Sequence, residues 1–97
     1  MVVKAKEKKT LTAAERVRRL KGLKSGDEFA YKNVGFGLTS YEKGHGEVWR
    51  KGGKLFTSTF DSMGMEWNGE TWVFDGGLGM KTYIALLEDV PEGELTD

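Results

Sequence analysis

The sequence predicts an α+β fold that is mostly β: a basic arm, one short helix, then five to seven antiparallel strands forming a curled sheet or a small, partly open barrel. Two observations carry this. Thr12 and Glu15 bracket the start of a run of good helix formers. From Asp27 onward, short apolar–polar runs alternate with glycine-containing turns, the pattern of an antiparallel meander. A chain of 97 residues suits one domain, but Leu, Ile, Val and Phe total only 22, so aromatic and methionine side chains must complete the core.

Residues 1–10 read as a flexible basic arm, with four Lys and little apolar material. The helix is expected over about 12–24. Thr12 and Glu15 form a capping box, and Ala13, Val17 and Leu20 share a narrow stripe suited to a sheet. Arg18 and Arg19 lie three and four positions after Glu15 and can pair with it, while Gly22 or Gly26 supplies a left-handed residue to end the helix.

The meander is expected over 27–87, with strands at 28–34, 36–42, 47–50, 54–60, 65–67, 70–75 and 80–87. Trp67-Asn68-Gly69-Glu70 reads as a type I′ hairpin, Lys51-Gly52-Gly53-Lys54 as a second, and Lys43-Gly44-His45-Gly46 as a looser turn. The last strand is apolar on both alternating faces, which predicts a central position covered on both sides. Residues 11–88 thus form the globular domain, and 89–97 an acidic tail with Pro91 and Gly93, poorly suited to regular structure. The segment Leu23-Lys24-Ser25-Gly26-Asp27-Glu28-Phe29 resembles the approach to the first strand of SH3-like barrels. The resemblance spans seven residues and implies a fold, not a function.

Charge is split along the chain. Residues 1–24 hold nine basic side chains against Glu7 and Glu15, a net +7, and residues 25–97 hold 13 acids against six bases, a net −7. Such asymmetry marks a basic segment aimed at nucleic acid or an acidic partner, or one that pairs with its own acidic body. No segment has the apolar length of a membrane span, and the start lacks the apolar core of a signal peptide. Without cysteine, disulfides and thiolate metal sites are ruled out, and a cytoplasmic, reducing compartment with no membrane partner is expected.

No catalytic constellation emerges, so an enzyme is not expected, and neither cofactor nor metal is implied. His45 lies between two glycines with nothing to fix its tautomer. Glu66 and Glu70 flank the Asn-Gly turn as a solvated hairpin end would. The run Asp75-Gly76-Gly77-Leu78-Gly79-Met80-Lys81-Thr82 lacks the spacing and following helix of a phosphate loop, and reads as a wide turn or bulge.

What remains is binding. The expected contacts are Arg16, Arg18, Arg19 and Lys21 on the helix, then Trp49, Arg50, Lys51 and Trp72 on the sheet, since aromatic and arginine side chains dominate recognition of proteins and of single-stranded nucleic acid alike. The leading reading is a small regulator or inhibitor of a macromolecular machine, of the kind viruses use as accessory proteins, with a protein or nucleoprotein complex as partner. A nucleic-acid-binding protein and a structural subunit of an assembly are the alternatives, and self-association is left open.

Overall fold

A computed structural model of the chain describes residues 11–44, 46–58 and 63–96. The basic arm, His45 and Phe60 therefore lie outside the described residues. Helix α1 (Ala13–Lys21) opens with the expected capping box: the Glu15 amide donates to Thr12 Oγ1 and the Thr12 amide to Glu15 Oε1, both at 3.1 Å. It ends at Gly22 with φ −94°, not in a left-handed residue, because the Gly22 amide closes the last turn on Arg18 O. The positive φ falls on Gly26, four residues later, inside a turn closed by Asp27 on Lys24.

Seven strands follow at the expected places: β1 (Phe29–Gly35), β2 (Leu38–Gly44), β3 (Val48–Lys51), β4 (Lys54–Thr57), β5 (Glu66–Trp67), β6 (Trp72–Gly77) and β7 (Met80–Ala85). An eighth, β8 (Leu95–Thr96), runs parallel to β2, preceded by a 3-10 turn at Leu87–Asp89. The segment after Glu88, expected to lack regular structure, thus carries a short strand on the outer edge of β2. The main sheet has the order β5-β6-β7-β1-β2-β8 and is open, while β3 and β4 form their own hairpin, tied to the chain before β5 by a Leu55–Met65 bridge.

The core lies where these layers meet: Leu20 and Leu23 from the helix end, Phe29 and Tyr31 from β1, Val48 and Leu55 from the hairpin, Trp72 and Ile84 from β6 and β7, and Met65 and Leu86 from the chain just before β5 and just after β7. Buried Tyr31 and Thr57 hydrogen-bond through their hydroxyls across it, so a polar pair deep in a small core is satisfied. β7 is central, between β6 and β1, but only Ile84 is buried in it, with Tyr83 and Ala85 half-covered, so its second face is partly open.

Two turns depart from expectation. Trp67 pairs with Trp72, so the Asn-Gly turn has four residues rather than two. Asn68 Oδ1 accepts the amides of both Glu70 and Thr71 (2.8 and 2.9 Å), a side-chain-closed turn that competes with the type I′ form. Phe36, expected at the start of a strand, lies instead in the β1–β2 turn at φ +51°.

Candidate functional site

Three hairpins turn through two residues that both have positive φ: Phe36-Gly37, Gly52-Gly53 and Leu78-Gly79. This type I′ geometry matches the twist of antiparallel strands and favours Gly or Asn at its first position. The β3–β4 turn follows that rule with Gly52. The other two place Phe36 and Leu78 there, at φ +51° and +54°, and each such bulky residue costs roughly 1–2 kcal/mol.

Burial does not offset that strain. Phe36 is 78% exposed and Leu78 is 89% exposed. The two turns are neighbours, because β7 and β1 are adjacent, and Gly35 lies close under Met80: a Cβ there would stand 2.9 Å from Met80 Cγ. Leu38 and Met80, the residues that follow each turn, are exposed as well, as is Met63. A cleft of about 400 Å³ opens between the tips, lined by Val34, Phe36, Leu38, Met63, Phe74 and Met80, with Thr82 Oγ1 donating to Asn33 Oδ1 at 2.8 Å among its polar wall groups. Of the described residues lining it, Lys81 alone is ionisable. Residues 33–41 and 76–80 carry no charge in a chain whose residues are 31% charged. Five large apolar side chains, Phe36, Leu38, Met63, Leu78 and Met80, are thus exposed around these two turns, the kind of cluster that often marks an interaction site. Such a surface can bind; it offers no acid–base or nucleophilic pair.

None of these tip residues was among the expected contacts. Their signal is a pattern used twice, Gly35-Phe36-Gly37-Leu38 and Gly77-Leu78-Gly79-Met80, which places a bulky apolar residue between two glycines at a hairpin end.

None of the expected contacts lines this cleft, and they stand in three different situations. Arg16 grips Asp89 through Nε and Nη2 (2.7 and 2.9 Å), and Arg19 grips Glu88 through Nη1 and Nη2 (2.8 and 3.4 Å). The hydrogen bonds to these carboxylates, foremost among the causes, raise both guanidinium pKa values further above their ordinary level. Lys21, Arg50 and Trp72 form a clamp that bolts the helix to the sheet: Arg50 Nη2 donates to Lys21 O at 2.7 Å and its guanidinium lies over Trp72 at 5.5 Å, while Lys21 Nζ lies over Trp67. Trp72 is a core residue, not a surface platform. It is 5% exposed, and its indole N–H donates to Leu20 O at 2.8 Å, which satisfies the one polar group its burial would otherwise strand.

Arg18, Trp49 and Lys51 remain on the surface, Trp49 at 38% exposure with its ring stacked on Phe56 at 5.9 Å. Of the two carboxylates that flank the Asn-Gly turn, Glu66 faces Lys54 at 3.5 Å. Among the described residues, no helix is long and apolar enough to cross a membrane. The chain matches no protein-family model, no curated protein and no solved structure, so its functional reading rests on the two ends described above.

Proposed function

We propose that this chain is a non-enzymatic binding protein that regulates or blocks a protein partner within a larger machine, docking its uncharged hairpin-tip end on an apolar face of that partner. The observation that carries the reading is the pair Phe36 and Leu78, each held in a strained left-handed conformation and each almost fully exposed. Strain at a bulky residue persists where the surrounding fold imposes it, and it concentrates at binding sites. The methionines beside them adapt to irregular partner surfaces, and the scarcity of charge removes the desolvation penalty that an ionic surface would incur on docking.

The nucleic-acid reading draws on Trp49, stacked on Phe56 and flanked by Arg50 and Lys51, as a base-stacking platform. It is the weaker of the two. Arg16 and Arg19 already hold carboxylates, and residues 25–97 carry a net −7 that repels phosphate.

The test is capture from native lysate with the wild-type chain and with Leu78→Asp, each split into nuclease-treated and untreated halves. Expected is a stoichiometric protein that survives nuclease and is lost with Leu78→Asp. Equal recovery by the variant, or material that disappears on nuclease treatment, overturns tip docking.

A further inference from the structure

The charged end contains a recognition geometry that is already occupied. Arg16 and Arg19 lie one turn apart on α1, and each presents two N–H donors to one carboxylate. The carboxylates belong to consecutive residues, Glu88 and Asp89, set side by side by the 3-10 turn at Leu87–Asp89, whose Asp89 amide donates to Leu86 O at 2.9 Å. A planar guanidinium fork against a planar carboxylate is directional as well as electrostatic, so the helix face reads a specific feature, two adjacent acidic side chains.

The occupant is held loosely. Leu86 is buried and anchors one end of the segment, Leu87 and Val90 are half-buried beyond it, and the polar attachments to the rest of the described residues include the two ion pairs and a two-residue parallel ladder, Tyr41 with Leu95 and Glu42 with Thr96. The paired side chains are 28–43% exposed, and ion pairs that open to water contribute little to stability. Between residues 86 and 96 the segment carries four acids and no base. Beside it lies a cleft of about 750 Å³ lined by Arg18, Arg19, Lys24, Asp27, Leu86 and Glu88, with room for the residues flanking a bound acidic pair.

We propose that the Arg16–Arg19 face of α1 is a docking site for an acidic protein segment bearing two adjacent carboxylates, and that the chain's own Glu88–Asp89 strap fills this site until such a segment displaces it. The surface is distinct from the hairpin tips and stands independently of them. A carboxylate ligand is favoured over a phosphate polymer on two grounds. The observed grip is made to carboxylates, two donors to each. A short acidic segment also replaces the strap charge for charge, whereas a polyanion brings many further charges against the −7 of residues 25–97.

Tethering sets the expected behaviour. A covalently attached strap competes at an effective concentration on the order of millimolar, so an acidic peptide added to the wild-type chain binds weakly. The experiment uses the full chain with Glu88→Gln and Asp89→Asn together, and as probe a fluorescently labelled peptide of residues 86–96. Expected is binding at least tenfold tighter than to the wild type, weakened by salt, and abolished when Arg16→Gln and Arg19→Gln are added. Circular dichroism checks the fold of each variant. Should the double substitution unfold, Asp89→Asn alone, which keeps the Arg19–Glu88 pair, carries the same comparison. Equal peptide binding by wild type and strap variant overturns the proposal. So does a single-stranded oligonucleotide that gains more affinity than the peptide from the strap substitutions, since the face then reads phosphate.

Discussion

The two ends of this molecule solve opposite problems. At the helix end, side chains that the sequence marks as binders are tied down: Arg16 and Arg19 by carboxylates, Lys21, Arg50 and Trp72 by one another. At the hairpin end, side chains that belong in a core are left in water on turns that strain them. The β3–β4 hairpin makes the contrast sharp, since Gly52-Gly53 takes the same turn without a bulky residue. Within one chain, then, a relaxed and two strained versions of one turn coexist. Phe36 lines the apolar cleft, as do Gly76 and Met80 on either side of the Leu78 turn, and the proposed docking would account for both bulky residues.

Substitutions can break or sharpen that contrast. The largest effect is expected at tryptophan. Trp72→Ala leaves a cavity and removes one donor to Leu20 O, which the Leu23 amide also reaches, and is expected to cost about 3–5 kcal/mol in urea unfolding, whereas Trp49→Ala at the exposed stack should cost less than about 1 kcal/mol. Comparable losses at both positions would mean that the two tryptophans are not core and surface.

Glycine gives the next largest difference. A Cβ on Gly44 would run into the ring of fully buried Phe29, so Gly44→Ala should destabilise by about 1–3 kcal/mol. Gly35→Ala meets the side chain of half-exposed Met80, which can swing aside, and is expected to cost less. The comparison is read as two thermal unfolding curves against wild type.

At the tips the sign reverses. Phe36→Asn and Leu78→Asn put a residue that tolerates positive φ into each turn, and each should raise stability by about 0.5–1 kcal/mol, while Gly52→Asn, already relaxed, should change it little. A loss of stability at the tips would show that their apolar side chains support the fold.

The smallest effect is at acid pH. The Lys24 amide, which hydrogen-bonds Asp27, holds its carboxyl below the ordinary 3.8 despite some burial. A pKa lowered on folding gives stability that is present above the ordinary value and is lost as pH falls through the lowered one. Asp27→Asn should therefore flatten the decline of stability in that acid window, measured by urea midpoint against pH.

Much of the fold was legible in the sequence because it is written locally. The Thr12–Glu15 box and the alternation of the seven strands depend on neighbours a few residues apart. What escaped depends on distant pairing. The Arg16–Asp89 and Arg19–Glu88 contacts join residues 73 and 69 positions apart, and β8 is too short to announce itself before β2 receives it. Asn68-Gly69 misled in a different way, since the Asn68 side chain takes two amides and lengthens the turn. The tips were hidden by the rule that apolar residues belong inside. Phe36 satisfies a strand pattern until its φ value and exposure are known, and Leu78, placed in a wide turn by the sequence, gives no sign there of its exposure.

The most direct test of strained tips kept for docking is one experiment on the Phe36→Asn/Leu78→Asn double variant, scored for urea midpoint and for recovery of the nuclease-resistant partner. Expected is a chain that unfolds at higher urea than wild type and recovers less than a tenth of the partner. A chain that unfolds at lower urea, or that recovers the partner as well as wild type does, contradicts it.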